Sequence, residues 1–295
     1  MNLVSKSLTL VIFLIVSISN NASSQQSLKL SGLIIDRDTE MPIPYTNIGI
    51  KNKFTGTVSD HQGYFSIELK ESANSDTIEI SRIGYEKIKA PIGDFGFSDS
   101  EPIIITIKQN MIDLNEFTVN ADYIEGQKSF GILPLKSRFG FAFNPMKSDA
   151  RANLGRELGI EIDPDGKEMR VNEVSFAIQS NQIGHVTCRV NVYKEDAILE
   201  DKPGEKVLEK IYEVKEKGKS VHSISLESEN LILSEKSWVT IEFVDFHGEN
   251  VRGIVTLPVK FPLGKYLSRE SSLGEWNSVM GRPSIKVDVE IIDFR

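Results

Sequence analysis

Alternation of apolar and polar residues dominates the chain from residue 28 onward. In residues 64–69 (YFSIEL) every second side chain is apolar, as expected for a strand that buries one face. The turn residues DHQG at 60–63 precede this run. The runs recur at a spacing of about ten residues with no helical period, which predicts a β-sandwich. The N-terminal runs are LKLSGLIID, YTNIGI, GYFSIEL, DTIEISRIGY, PIIITIKQ and LNEFTVN.

The same β periodicity resumes at residue 157 after a stretch of mixed composition. Residues 122–155 contain several glycines and no clear period, so we interpret 121–155 as a connector that partly packs on the second domain. Eight or so strands in about 140 residues are typical of a jelly-roll or galactose-binding-like sandwich. The C-terminal runs are ELGIEI, MRVNEVSFAI, GHVTCRVNVY, KVLEKIYEV, HSISLES, SWVTIEFV, GIVTLPVKF and SIKVDVEIID.

The first 26 residues have the pattern of a secretory signal peptide. Lys6 supplies a positive charge, and the apolar run LTLVIFLIVSI at 8–18 is too short to span a bilayer. We expect cleavage between Ala22 and Gln26. The only cysteine, Cys188, does not follow the apolar run, so we expect neither a lipid anchor nor direct membrane insertion. Because Cys188 alternates with polar neighbours in VTCRVNVY, it is predicted to be a buried strand residue.

Residues 28–120 resemble the carboxypeptidase regulatory-like domain, which is common in exported Bacteroidetes proteins. The resemblance rests on GLIIDRDTEMPIPYTNIGI, GTVSDHQGYFSIEL and DTIEISRIGYEK. It implies a seven-stranded transthyretin-like β-sandwich, which we expect to be antiparallel. The predicted organisation is therefore all-β: signal peptide 1–26, regulatory-like sandwich 27–120, connector 121–155 and a larger jelly-roll-like sandwich 156–295. Related domains precede the plug of TonB-dependent receptors, but about 170 residues after 120 are too few for such a barrel.

The charge of the chain argues against nucleic acid as a partner. The formal net charge is −8, from 34 Lys+Arg and 42 Asp+Glu, which repels phosphate backbones. The densest basic stretch, Lys215, Lys217 and Lys219, is interleaved with Glu213 and Glu216, so it reads as a solvated turn.

Residue sets that known enzyme chemistries need are missing from the sequence. The four histidines continue as HQGY, HVTC, HSIS and HGEN, so none begins an H-x-x-E or H-E-x-x-H zinc motif. There is no G-x-S-x-G elbow, no dinucleotide fingerprint and no phosphate loop. We therefore expect a non-enzymatic chain without a cofactor.

Two groups of residues remain as candidate sites. Asp245, His247 and Glu249, with Asn250, place four oxygen or nitrogen ligands within six residues and form a candidate ion site. Trp238, Tyr266 and Trp276 are candidate aromatic platforms for a sugar. In SWVTIEFVDF, Trp238 alternates with apolar Val239 and Ile241, which predicts that it lies on the wetter face of its strand.

These observations favour an exported binding or scaffold protein of the bacterial cell envelope. Its expected partner is an outer-membrane or periplasmic protein, to which exposed strand edges could bind. The alternative is a carbohydrate-binding protein that uses the C-terminal sandwich. A carboxylate-dependent glycan hydrolase is a further alternative, because a sequence cannot show whether two acids face each other in a cleft.

Overall fold

A computed structural model describes residues 28–51, 53–69, 75–95, 102–110, 123–144, 149–248 and 251–293. The predicted signal peptide and the LNEFTVN segment lie outside these residues. Within them the chain is all-β, and helix is limited to three short 3₁₀ turns, at Ile92–Phe95, Ala150–Asn153 and Glu227–Glu229. None of the described segments forms a helix long and apolar enough to cross a membrane.

The N-terminal domain is a sandwich of seven described strands in two sheets. One sheet has the order β4-β1-β7 and the other the order β3-β2-β5-β6. Apolar side chains from both sheets, such as Ile34 and Ile80, form one buried core. The strands are β1 Leu28–Asp36, β2 Asn47–Ile50, β3 Gly56–Val58, β4 Tyr64–Leu69, β5 Thr77–Ser81, β6 Ile88–Pro91 and β7 Ile103–Ile107.

One strand pair of this domain departs from the expected antiparallel arrangement. β1 and β7 pair in parallel, with Gly32 opposite Ile103 and Asp36 opposite Ile107. The chain reaches β7 only after passing through β5 and β6 of the other sheet, a crossover that brings β7 back in the direction of β1. Alternation specifies which face a residue occupies but not the direction of a strand, so the sequence pattern could not show this.

The C-terminal domain is a larger two-sheet sandwich built from thirteen described strands. An eight-stranded sheet follows the order β12-β18-β10-β17-β13-β14, with β9 and β19 also paired to β18, and a five-stranded sheet follows β15-β11-β20-β8, with β16 paired to β11. Val190 of the first sheet and Val287 of the second belong to the same core. The strands are β8 Tyr123–Ile132, β9 Phe139–Ala142, β10 Glu157–Ile162, β11 Glu168–Ile178, β12 Ser180–Asn181, β13 Val186–Glu195, β14 Pro203–Val214, β15 Ser220–Ser225, β16 Ile232–Leu233, β17 Ser237–Phe246, β18 Val255–Arg269, β19 Asn277–Pro283 and β20 Ile285–Asp293.

The segment interpreted as a connector contributes two strands to this sandwich. β8 pairs along its length with β20 and lies at the edge of its sheet, and β9 pairs with β18. Most residues of β8 are exposed or half-buried. Since an edge strand buries little apolar surface, the polar, glycine-containing sequence of β8 carries weak alternation, which is why the pattern did not reveal it.

Candidate functional site

The outer face of the eight-stranded sheet carries polar and charged residues, yet it is buried. Along β13 and β17 the outward pairs are Arg189 with Glu242, Asn191 with Thr240, and Tyr193 with Trp238. Every residue of β17 is buried, and so are all residues of β13 except the last two. These strands are therefore covered on both faces. The cover is supplied at one end by the N-terminal domain, through contacts described next. Because buried polar groups need partners, this face is a network of hydrogen bonds and ion pairs.

Arg189 is the centre of the contact between the two domains. Its side chain is fully buried. Its guanidinium donates to Glu242 Oε2 at 2.7 Å and to Glu209 Oε2 at 3.2 Å within its own sheet. It also reaches the N-terminal domain, donating to the backbone oxygen of Tyr45 at 2.7 Å and to Asn47 Oδ1 at 2.5 Å. One side chain thus ties the two sandwiches together.

A second cation reaches one of these carboxylates, Glu209, from the other domain. Arg82 of the N-terminal domain lies 2.8 Å from Glu209 Oε1 and donates to the backbone oxygen of Tyr45 at 3.2 Å. Burial disfavours the charge on Arg189, but Glu242 and Glu209 outweigh it and raise the pKa of Arg189 above its ordinary value. Burial also opposes ionisation of Glu242, but Arg189 and Lys206 prevail and lower its pKa to about 2. The pair is therefore charged across the physiological range.

A β-bulge determines where Asp245 and His247 point. Thr187 pairs with Asp245, whereas the next residue, Cys188, pairs with Phe243, so β17 carries one extra residue between them. Phe243, Val244 and Phe246 consequently lie in the core. Asp245 and His247 are displaced to the outer face, since a bulge shifts the alternation by one residue. There they lie beyond Arg189, at the end of the strand pair that the N-terminal domain covers.

Three of the four histidines meet at this end of the interface. His61, in the turn between β3 and β4, places Nδ1 3.1 Å from Asp245 Oδ2. The rings of His185 and His247 are stacked with centroids 3.9 Å apart, and the rings of His61 and His247 lie 5.8 Å apart. Thr187 Oγ1 lies 2.7 Å from His247 Nε2 and orients that ring. Burial lowers the pKa of His247, although Asp245 opposes the shift.

This cluster contains two of the residues predicted as an ion site and adds one that the sequence did not suggest. One ligand atom from each of His61, Asp245 and His247 lies within 4.8 Å of the others. Glu249 and Asn250 lie outside the described residues. His61 is 184 positions from Asp245 in the chain, so no local spacing could have linked them.

The aromatic residues predicted as sugar platforms are not exposed. Trp238 is 1% exposed, Tyr266 8% and Trp276 9%. Trp238 does share a face with Thr240 and Glu242, as its alternation predicted, but that face is covered, so the expectation of a wetter environment is wrong. Trp238 and Trp276 pack together with Tyr193, and the Arg269 guanidinium lies over the Trp276 ring at 4.7 Å. Tyr266 belongs to the core instead.

Carboxylates also gather at a surface depression on the five-stranded sheet. Glu125, Glu168 and Asp293 line it together with Lys167. Lys167 Nζ lies 3.8 Å from Glu125 Oε2. The depression lies at the ends of β8, β11 and β20, and its lining residues differ from those of the interface described above.

A cluster of exposed apolar residues, here called the β18 patch, lies where β9, β18 and β19 meet. Leu263 is 75% exposed, and Phe261 and Met280 are each more than half exposed. Phe139 of β9 places its ring 5.3 Å from that of Phe261. Exposed cations accompany them: the patch consists of Phe139, Phe261, Leu263 and Met280 with Arg138, Lys260, Lys265 and Arg282.

The strand pairing brings these cations together from distant parts of the chain. Lys260 is paired with Arg282, Lys265 with Met280, and Arg138 lies over the ring of Phe139 at 5.9 Å. Along the sequence, the densest basic stretch is the interleaved one at 215–219. The β18 patch was missed because its cations come from β18, from β19 and from the residue that precedes β9.

Comparison with known proteins gives a family for the N-terminal domain alone. No curated protein matches the chain. Two solved structures of infectious bursal disease virus, from the Gt and Gx strains, align over 90% and 91% of this chain with TM-scores of 0.28 and identities of 9% and 6%. The chain spans 63% and 67% of those two chains, and TM-scores this low support no conclusion about this protein. Residues 30–119 match the CarboxypepD_reg-like domain family, so the N-terminal sandwich is a carboxypeptidase regulatory-like domain, as its sequence predicted.

Proposed function

We propose that this protein is a non-catalytic binding or scaffold subunit of the bacterial cell envelope. Its partner in this proposal is an outer-membrane or periplasmic protein that binds the β18 patch. The observation that carries the proposal is the exposure of Phe261, Leu263, Met280 and Phe139, with the rings of Phe139 and Phe261 5.3 Å apart. Contiguous exposed apolar residues with a polar rim are typical of interaction sites, because monomeric surfaces rarely keep them without a function.

The composition of the patch indicates what kind of surface would bind it. Interfaces are enriched in Phe, Met and Arg at their centres, and rim charges determine orientation and association rate. Arg138, Lys260, Lys265 and Arg282 give the patch a positive rim on a chain whose net charge is −8. The partner surface should therefore offer an apolar pocket with acidic neighbours. Glycan binding through Trp238, Tyr266 or Trp276 has no comparable support, because all three side chains are buried.

Affinity purification of tagged protein from the host envelope in mild detergent tests this proposal. The variant Phe261→Ser with Leu263→Ser removes the apolar centre of the patch. The control, Met41→Ser with Ile104→Thr, removes two residues of similar exposure, 65% and 66%, from the N-terminal domain. We expect one envelope protein to be recovered in fixed proportion with the wild type and the control, and to be lost with the patch variant.

The recovered partner is then purified and its affinity measured directly. Since truncation of a hot-spot residue costs about 2 kcal/mol or more, the double patch variant should bind at least about 30-fold more weakly. Equal affinity of the patch variant and the wild type would exclude the β18 patch as the binding surface. Wild-type protein that elutes alone and is retained on immobilised sugars would favour the carbohydrate-binding alternative.

A further inference from the structure

We infer that His61, Asp245 and His247 form a binding site for a divalent transition metal ion, of which Zn²⁺ is the best fit, and that this ion joins the two domains. The inference is independent of the proposed partner. Two imidazoles and one carboxylate are a donor set that suits Zn²⁺, whereas Ca²⁺ and Mg²⁺ prefer oxygen ligands throughout. Three protein ligands leave one position of a tetrahedral ion for water or for a further side chain.

The geometry is close to that of a bound site. With metal–ligand bonds of about 2.0–2.1 Å, the ligand atoms of a tetrahedral ion lie about 3.4 Å apart. The distance from His61 Nδ1 to Asp245 Oδ2 is 3.1 Å, and all three ligand atoms lie within 4.8 Å of one another. The His61 side chain is 54% exposed, so it can rotate to shorten the longer distances. Only small side-chain movements separate this arrangement from coordination.

The surroundings also resemble those of a metal site. Ligating histidines usually have a hydrogen-bond partner that orients the ring. Thr187 supplies that partner to His247 at 2.7 Å, and the stacked ring of His185 packs against His247 from another side. A His and Asp pair on an open surface would have neither a hydrogen-bond partner nor a stacked ring to hold the imidazole in place.

The buried carboxylate of Asp245 is the second reason to expect a cation here. Its side chain is 4% exposed, and its ion-pair partner in the described part of the chain is the exposed His61. An ionised carboxylate taken out of water needs a strong compensating charge. The exposed His61 side chain is shared with water, whereas a divalent ion bound by His61, Asp245 and His247 would place two positive charges directly beside this carboxylate.

Metal binding at this position would strengthen the contact between the sandwiches. His61 comes from the turn between β3 and β4, whereas Asp245 and His247 come from the end of β17 and its continuation. An ion that binds the folded interface and not the separated ligands stabilises the docked arrangement by mass action. The site would thus act as a metal-dependent clip beside the Arg189 contact.

Isothermal titration of metal-stripped, full-length protein with Zn²⁺ tests the inference, with any polyhistidine tag removed. We expect saturable binding of one ion per chain and a melting temperature that rises with Zn²⁺ concentration. Because loss of even an outer hydrogen-bond partner typically weakens metal sites 10–100-fold, His61→Gln and Asp245→Asn should each weaken binding about 100-fold or more. His222→Gln is the control, since His222 lies on β15 of the other sheet.

The variants distinguish the loss of a metal ligand from the loss of the fold. His61→Gln changes an exposed side chain, so its metal-free circular dichroism should show the same fold as the wild type, and a loss of binding by this folded variant then reports on ligation. Binding by Co²⁺ should in addition give the intense visible absorption of a tetrahedral site in the wild type and not in this variant. Wild-type protein that binds no Zn²⁺, or His61→Gln protein that binds it as tightly as the wild type, would overturn the inference.

Discussion

Replacing Arg189 with methionine should destabilise the protein strongly, because its carboxylate partners remain buried. Glu242 is fully buried and accepts two hydrogen bonds from the Arg189 guanidinium through Oε2, at 2.7 and 3.1 Å. Removing one member of a buried ion pair typically costs about 3–5 kcal/mol, since the other charge loses its compensation. Tyr45 O and Asn47 Oδ1 lose donors in the same substitution. For a domain of this size, that corresponds to a fall in melting temperature of roughly 6–20 °C.

The assay is denaturant unfolding followed by calorimetry, with Arg37→Met as the matched control. Arg37 is 52% exposed and pairs with neighbouring Asp38, so its replacement should change the free energy of unfolding by less than about 0.5 kcal/mol. Adding Glu242→Gln to Arg189→Met removes the uncompensated charge. The double variant should therefore be more stable than the sum of the single effects predicts, by about 1–3 kcal/mol. A loss below about 1 kcal/mol for Arg189→Met would refute this account of the interface.

Two further substitutions test neighbouring parts of the interface. Burial, reinforced by the charge of Arg189, lowers the pKa of Lys206 to about 8, although Glu209 opposes the shift. As the pH rises, the Lys206 ammonium therefore loses its proton in the folded state before it does so in the unfolded state. Stability should therefore rise between pH 8 and 10.5, by about 2 kcal/mol at pH 9.5; an equal rise in Lys206→Met, measured by urea unfolding, would contradict this. Gly56→Ala should cost about 1–3 kcal/mol, because its new carbon would lie 2.0 Å from the backbone oxygen of Ser272. Thermal unfolding checks this against Gly126→Ala, whose new carbon has no atom within 4 Å; equal melting temperatures would disprove the clash.

The sequence predicted which segments form strands better than it predicted the directions of strands and the position of edge strands. Period-two alternation identified strands that bury one face, such as Tyr64–Leu69, and it placed Cys188 correctly in a buried strand. It could not distinguish the parallel pairing of β1 and β7, because parallel and antiparallel strands alternate alike. The edge strand β8 escaped notice, since its exposed surface needs no apolar period.

The candidate site could be predicted only in part, because a bulge and the docking of the two domains bring its residues together. Asp245 and His247 were recognised from their close spacing, but simple alternation from Phe243 would have turned them towards the core. The bulge that reorients them is invisible to a binary pattern. His61 joins them only because the two domains dock. Trp238 was misjudged for the same reason: a polar face predicts contact with water unless a second domain covers it.

The chemistry of the interface explains why the two domains hold one orientation. Apolar surfaces can slide by an ångström with little loss, since burial depends mainly on area. The donors of Arg189, by contrast, meet Glu242, Glu209, Tyr45 O and Asn47 Oδ1 together in a single arrangement. A buried ion pair adds little net stability compared with a well-packed apolar one, but misalignment would leave its charges uncompensated. We therefore expect the penalty for a wrong orientation to favour this docking arrangement over shifted ones, and with it one position of the β18 patch relative to the regulatory-like domain.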